Sequence, residues 1–244
     1  MQKNGVAVHY LLLVLVTMMW GGGYIAGKYV ASEIPPFTAS LMRYILATLC
    51  LWLLLRKTEK NAVKLQRQHW LLFAFLGLTG VFMFTALFFL GLKYTTAVNA
   101  SLIISTNPVM TIVIAALILR EKVSGWQIFG IVTSFTGAVI VISGGSLEVL
   151  RNLSFNPGDL IVCGAPVAWA FYSVLGKKAM SIYSPLAATT YAAVFGTIIL
   201  VPFALWEGVN WLAISPGSLL GIAYTAVFSS SISYTWWYRG VQAI

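Results

Sequence analysis

The aromatic and polar side chains near the end of the first long apolar run have the chemistry to bind a small organic solute. Thr17, Trp20 and Tyr24 are spaced i, i+3 and i+7, so they share one face of a helix. Three consecutive glycines, Gly21 to Gly23, stand beside them, and each glycine lowers helix propensity by about 1 kcal/mol. A glycine-interrupted apolar helix indicates a transporter binding site. We therefore predict cavity-lining residues here, with close helix packing through small residues as the alternative.

A similar group recurs later in the chain. Trp169 has the position of the first tryptophan when the sequence is shifted by 149 residues, and Tyr172 and Ser173 follow it by about one helical turn. The same two interpretations, cavity lining and helix packing, apply to these three residues. Tyr234 and Trp237 complete the predicted substrate site as further stacking and apolar surface.

The fourth apolar run contributes amide and hydroxyl groups. Asn99 and Thr106 are seven residues apart and share a helix face. Pro108 removes one backbone donor and frees the carbonyl of Ile104, which predicts a kink. Irregular backbone at membrane depth must line a cavity or be buried in protein. We predict that Asn99 and Thr106 orient the substrate; the alternative is hydrogen bonding between helices, worth about 0.6 kcal/mol on average.

Arg43 is the one charged residue that falls well inside an apolar run. It lies about six residues from the outer end of its run, or roughly 9 Å at 1.5 Å per residue. In the functional interpretation it controls an outer gate or meets an anionic group of the substrate. In the structural interpretation its long side chain reaches back towards the interface and pairs with a carboxylate such as Glu33.

No arrangement of residues predicts catalysis, a metal site or a cofactor. The two histidines, His9 and His69, lie at the ends of apolar runs, and no Ser/His/Asp set or phosphate-binding loop can be assembled. Cys50 and Cys163 lie within apolar runs and are predicted to be small buried hydrophobic residues. A carboxylate for proton relay near the middle of a run is also absent, because all acids lie at run ends or in loops: Glu33, Glu59, Glu121, Glu148, Asp159 and Glu207.

The elements that position these residues are predicted from composition. Hydrophobic residues make up 59% of the chain and charged residues only 9%, against about 25% charged in soluble domains. The net charge of +9 does not predict nucleic-acid binding, because the basic residues lie in short loops and form no continuous face. Apolar runs long enough to cross a bilayer predict an all-α, polytopic transmembrane bundle. The eight predicted spans are 9–31, 37–55, 70–92, 96–119, 124–144, 158–180, 185–206 and 216–238.

The loop charges predict the orientation of the bundle. With the N-terminus in the cytoplasm, eleven Lys and Arg residues lie on the cytoplasmic side, and three, Lys28, Lys93 and Arg151, lie outside. Lys and Arg near span ends remain cytoplasmic in membrane proteins. We therefore predict a cytoplasmic N-terminus and contact with the lipid bilayer over most of the chain.

An internal repeat is predicted from a constant offset of 149 residues. This shift superimposes Trp, Gly, Lys and Pro landmarks, including Pro36 on Pro185 and Gly91 on Gly240. The odd number of spans between the two starts gives the repeats inverted topology, as in secondary transporters. We predict one complete five-helix repeat over 1–145 and three helices of a second over 146–244. Ten helices are expected by this symmetry, so we interpret the chain as a fragment.

The chain resembles the EamA family of the drug/metabolite transporter superfamily. The resemblance rests on the Trp20–Lys28 segment, Arg43, the Gly91–Ala97 segment, the Asn107-Pro108 pair and further motifs at Glu121-Lys122 and 137–141. It implies a ten-helix carrier in a bacterial cell membrane that moves metabolites such as amino acids or drugs, usually outward.

The leading hypothesis is therefore a secondary transporter that binds a small-molecule metabolite, amino acid or drug and works by alternating access. A non-transporting membrane scaffold or assembly partner is the alternative. A membrane-embedded enzyme is disfavoured because no catalytic set is visible. No nucleic acid is expected as a partner, and the sequence leaves a homo-oligomer open.

Overall fold

The predicted all-α bundle is confirmed by the computed structural model, which describes residues 3–120, 123–143, 146, 148, 151, 156–210 and 214–243. Each of the eight predicted spans is a helix. α3 begins with a 3-10 turn, Arg67–His69, and α8 combines the segments Pro216–Ala226, Val227–Ile232 and Ser233–Ala243. The long helices are α1 (Lys3–Glu33), α2 (Pro36–Thr58), α3 (Arg67–Tyr94), α4 (Ala97–Leu119), α5 (Gly125–Ser143), α6 (Pro157–Met180), α7 (Pro185–Glu207) and α8 (216–243).

Six of these helices are long and apolar enough to cross a membrane, namely α1 to α4, α6 and α7. The other two predicted spans form the helices α5 and α8, which are not among the six helices that meet this criterion of length and hydropathy. In α8 the central serines, Ser229 to Ser231 and Ser233, lower the hydropathy of an otherwise apolar helix. The protein is thus a multi-pass membrane protein.

The helix starts show why the chain folds into these segments. Proline occupies the first turn of α2, α6, α7 and α8, where no backbone donor is needed. A side-chain oxygen of the preceding residue accepts a hydrogen bond from the first turn of α4, α6, α7 and α8. These capping residues are Thr96, Asn156, Ser184 and Ser215.

The start of α2 is capped from another helix. Pro35 precedes it and has no side-chain acceptor. The carboxylate of Glu207, the last residue of α7, accepts hydrogen bonds from Phe37 N (3.2 Å), Thr38 N (2.8 Å) and Thr38 Oγ1 (3.1 Å). A carboxylate at a helix N-terminus also interacts favourably with the helix dipole. Glu207 therefore joins α7 to α2 at one end of the bundle.

The most extensive packing joins α3 with α6 and α1 with α8, and further large contacts join α4 with α6, α3 with α7 and α2 with α7. Glycines allow close approach within and between these pairs. A Cβ on Gly77 of α3 would lie 2.5 Å from the backbone nitrogen of Gly196 in α7. A Cβ on Gly91 of α3 would lie 2.1 Å from the side chain of Val162 in α6. No side chain fits at either contact, so the backbones pack directly against their neighbours.

The predicted interruption of α1 at its three glycines is wrong, because the helix is continuous from Lys3 to Glu33. The glycines serve close packing. A Cβ on Gly22 would lie 2.2 Å from the hydroxyl of Tyr224, and one on Gly23 would lie 2.8 Å from Ser229 Oγ. Gly21 has open space around its Cβ position. The contacts with α8 keep this helix intact despite its low local propensity, since tertiary packing overrides propensity.

Irregular backbone occurs instead in three other helices. α3 contains a π-helical segment at Gly77–Met83, and α8 contains one at Val227–Ile232. α4 is broken at residues 105–106, just before Pro108, where the sequence predicted a kink. Two hydroxyls donate to backbone oxygens beside this break: Ser105 Oγ to Leu102 O and Thr106 Oγ1 to Ile103 O, both at 2.6 Å.

Several contacts join residues that are 149 positions apart. Thr48 Oγ1 and Thr197 Oγ1 share a hydrogen bond of 3.0 Å, and the rings of Trp20 and Trp169 lie 5.4 Å apart. α2 and α7 have 23 residues each and begin 149 positions apart. Residues related by a two-fold axis meet their own counterparts only beside that axis. The inverted repeat itself remains a prediction.

The close contact between α3 and α7 gives a stability prediction. Gly77→Ala should lower the free energy of unfolding by about 1–3 kcal/mol, because its methyl group would overlap backbone atoms of α7. The measurement is thermal unfolding of the purified protein in detergent. Gly21→Ala is the matched control and should leave stability unchanged or raise it by up to about 1 kcal/mol. Equal melting temperatures for both variants would contradict this packing.

The cap between α7 and α2 gives a second prediction. Glu207→Ala should lower stability by about 1–2 kcal/mol, because two backbone donors and one hydroxyl lose their acceptor. Lys57→Ala removes an exposed charge from the other end of α2 and serves as the control. The melting temperatures of both variants are measured in the same detergent and compared with that of the wild type. An equal decrease in the melting temperature of both variants would show that Glu207 is not a cap.

Candidate functional site: an aromatic cavity with a buried arginine

A cavity with a volume of about 50 Å³ lies between α1, α2, α3, α4, α6 and α8. This space holds a few water molecules or a group of the size of a carboxylate. A larger solute requires the lining side chains to move. The lining residues are Trp20, Gly23, Tyr24, Arg43, Phe84, Phe88, Ile104, Asn107, Trp169, Ser229 and Tyr234.

The aromatic residues of the cavity contact one another in a connected network. The rings of Trp20 and Trp169 meet edge to face, and Tyr234 packs edge to face against Trp169 at 5.1 Å. Phe84 of α3 lies 5.3 Å from Trp169, and Tyr24 lies 5.7 Å from the ring of Phe88. Trp20 is held in place because its Nε1 donates to the backbone oxygen of residue 229 (3.1 Å). Four of the predicted aromatic residues therefore line one cavity.

Arg43 forms part of the cavity wall and is 4% exposed. Its Nε donates to Ser230 Oγ at 2.7 Å, and its guanidinium carbon lies 5.6 Å from the ring centroid of Tyr44. The predicted pairing with Glu33 is wrong. Glu33 lies at the end of α1, where its carboxylate accepts from the backbone nitrogen of Ser215 (2.9 Å). The reason is the π-helical segment of α8, which brings a hydroxyl to Arg43 inside the bundle.

The polar residues of α4 are placed differently from the sequence prediction. Thr106 donates its hydroxyl to its own helix and does not line the cavity. Asn99 also lies outside the cavity, near the start of α4. Asn107 lines it instead, and its Oδ1 is buried without a hydrogen-bond partner. The physical reason is the break at residues 105–106, which ends the helical phase assumed for Asn99 and Thr106.

Three further predicted residues lie behind the cavity wall. Tyr172 is 1% exposed and stacks on Tyr238 with ring centroids 5.3 Å apart. Ser173 is buried with its hydroxyl unpaired, and the indole nitrogen of Trp237 is likewise buried and unpaired. Trp237 nevertheless contacts the site, because its ring lies 5.5 Å from Trp20. These residues support the lining aromatics and do not border the open space.

Six lining residues were not among the predicted substrate-binding residues: Gly23, Phe84, Phe88, Ile104, Asn107 and Ser229. The two phenylalanines carry no signal of their own in an apolar helix. Asn107 does, because an amide beside a helix-breaking proline at membrane depth is costly unless it has a function.

A second polar cluster lies around Asp159, which is 1% exposed. Its carboxylate accepts from Thr95 Oγ1 (2.5 Å), from Asn99 Nδ2 (3.3 Å) and from the backbone nitrogen of Asn156 (2.8 Å). Lys28 of α1 is bound beside it, with its Nζ donating to the backbone oxygens of residues 92 and 95. The cluster thus ties the ends of α1 and α3 to the starts of α4 and α6. Both carboxylate oxygens of Asp159 accept hydrogen bonds, so the cluster is a structural joint.

Comparison with known proteins identifies the family. The model of the EamA-like transporter family matches residues 8–143 and 156–244. The chain belongs to the EamA-like transporter family. This EamA-like chain is 35% identical over 237 residues to "Uncharacterized transporter YyaM" of Bacillus subtilis (strain 168), covering 96% of this chain and 78% of the relative. An "Uncharacterized transporter" of Archaeoglobus fulgidus is 33% identical over 232 residues, covering 94% and 78%.

A solved crystal structure shares the fold of this EamA-like protein. It superposes with a TM-score of 0.70 over 96% of this chain and 79% of that chain, at 16% sequence identity. The resemblance stated from sequence motifs is thereby confirmed at the level of family and fold. The family and the names of its members support a membrane transporter, with a small-molecule substrate and the lipid bilayer as partners.

The cluster around Asp159 gives a prediction for the stability of the protein. Asp159→Ala should lower the free energy of unfolding by about 1–3 kcal/mol, because buried donors of Thr95 and Asn156 lose their acceptor. Cys163, one turn further along α6, is exposed, so its predicted burial is wrong; Cys163→Ala is the control and should have little effect. Unfolding in detergent is again the measurement, and an unchanged transition for Asp159→Ala would show that the cluster carries no stability.

Proposed function

We propose that this protein carries a small metabolite across the cell membrane by alternating access, with the aromatic cavity as the binding site. The supporting observation is the composition of the cavity wall. One set of lining residues comes from α1 to α4 and the other from α6 and α8, so the space lies between the two predicted repeats. Secondary transporters bind substrate at such an interface.

The inverted repeat is part of the proposal. Contacts at the 149-residue offset support it, as do π-helical segments at matching positions of α3 and α8. In the proposed mechanism, one group of helices moves against the other around the cavity. π-helical bulges inside α-helices are frequent at functional sites, which agrees with this role for the two segments.

The orientation also belongs to the proposal. We place the N-terminus in the cytoplasm because eleven basic residues then lie on the cytoplasmic side and three outside. Amino acids and drug-like metabolites remain the proposed substrates, moved outward or by exchange. The aromatic wall is suited to an apolar or aromatic portion of such a solute.

Flux across reconstituted vesicles tests this function. A panel of radiolabelled amino acids and small aromatic metabolites is loaded into proteoliposomes, and efflux is measured against protein-free vesicles. Trp20→Ala and Asn107→Ala should each lower the flux of a transported compound about tenfold, which corresponds to about 1.4 kcal/mol of lost contact. Thr106→Ala is the matched control for Asn107, because its hydroxyl bonds its own helix.

Two outcomes count against the proposal. Flux that is unchanged in both site variants would remove the cavity as the binding site. An absence of flux for the entire panel, with correctly folded protein, would favour the alternative of a non-transporting membrane scaffold.

A further inference from the structure

Within the part of the chain that the structure describes, no carboxylate pairs with Arg43. Among the residues that the structure describes, its hydrogen-bond partner is Ser230, a neutral hydroxyl. The carboxylates of Glu33, Glu207 and Asp159 are all engaged elsewhere, with Ser215, the start of α2 and the cluster at α6. A buried guanidinium without an anion loses much of its hydration energy and gains little in return. The cavity therefore has a strong net preference for negative charge.

The guanidinium also has free hydrogen-bonding capacity. It carries five N–H donors, and among the described residues its hydrogen bond is the one from Nε to Ser230. The two terminal nitrogens together hold four donors in a planar fork, which matches the two oxygens of a carboxylate. Since Arg43 belongs to the cavity wall, a solute in the cavity can reach this fork.

Two other buried polar groups of the cavity lack partners. The hydroxyl of Tyr234 can donate to an anion, and Asn107 Oδ1 can accept from an N–H or O–H group of a solute. Unpaired polar atoms are rare in buried positions and are costly unless a ligand or water satisfies them. Two polar atoms without a partner among the described residues, Tyr234 OH and Asn107 Oδ1, thus border the same small space as Arg43.

The aromatic wall by itself would also attract cations, through the negative faces of Trp20 and Trp169. A fixed positive charge in the same wall opposes that attraction, and no lining residue is acidic. An organic cation is therefore disfavoured, whereas an anion with an apolar body gains contact with both the charge and the rings.

We infer that Arg43 is the recognition residue for the carboxylate of a small organic acid whose apolar or aromatic portion lies against Trp20, Trp169 and Phe84. This inference rests on the proposed function, because it assigns a substrate class to the same cavity. Arg43 forms the charged end of the site, with Tyr234 and Asn107 as additional polar contacts. The solute is a monoanion, or an amino acid in which the carboxylate provides the recognised charge.

Three compounds of nearly equal size and shape isolate the effect of charge: benzoate, benzamide and benzamidine, with charges of −1, 0 and +1. Equilibrium binding of each radiolabelled compound is measured on the full chain in lipid nanodiscs. Benzoate should bind about tenfold or more tightly than benzamide, since a charge-assisted hydrogen bond exceeds a neutral one. Benzamidine should bind most weakly of the three.

Variants at Arg43 then assign the preference to this residue. Arg43→Gln should reduce benzoate affinity about tenfold or more while leaving benzamide affinity nearly unchanged. Arg43→Lys should retain part of the preference, because it keeps the charge but loses the planar fork. Arg56→Gln is the matched control; it removes the same charge from an exposed position of α2 and should change neither compound.

The wild-type comparison alone can overturn the inference, so it does not depend on the folding of any variant. Equal binding of benzoate and benzamide, or tighter binding of benzamidine, would contradict it. If neutral or cationic solutes are transported with sensitivity to Trp20→Ala, only the assigned substrate class fails. If no compound binds and no flux is found, both this inference and the proposed function fail.

Discussion

The absence of water in the hydrocarbon core is the constraint on which the rest of this structure depends. Each backbone donor and acceptor must be satisfied by the protein itself, so the chain forms helices almost throughout. Irregular backbone has protein contacts: hydroxyls of Ser105 and Thr106 bond backbone oxygens beside the break in α4, and the π segment of α3 packs against α7. The helix starts at the ends of the spans are capped because the first backbone donors of a helix have no partner within it.

Two kinds of contact join the helices: some pack through glycines with their backbones close together, and others pack through aromatic side chains that lie between them. Gly77 and Gly196 bring α3 against α7, and Glu207 closes one end of the α2–α7 pair. Around the cavity, by contrast, ring edges and faces fill the interface. Aromatic rings have more than one favourable arrangement, edge to face or offset, whereas the glycine contacts leave no space for a side chain. The movement that we propose for transport is therefore easier to accommodate around the rings than along the glycine contacts.

The charges are distributed according to the cost of burying them. Lys28 and Asp159 lie at helix ends, where hydrogen bonds to backbone and side chains satisfy them. Arg43 alone, among the described charged residues, lies in the cavity wall. Since burying a charge without a partner is unfavourable, its position is difficult to explain by stability. A role in recognising a solute gives this residue a physical reason to be there.

The helices, their order and the family follow from the sequence alone, because apolar length, loop charge and proline-led starts are local properties of the chain. The four aromatic residues of the cavity wall were also predictable, since their spacing places them on defined helix faces. The tertiary structure decided the rest. The glycines of α1 pack against α8 without breaking the helix, and the break in α4 turns Asn107, not Asn99 or Thr106, towards the cavity. Arg43 pairs with a serine that is 187 residues away. Such contacts depend on helix phase and on partners distant in sequence, which periodicity within one segment does not contain.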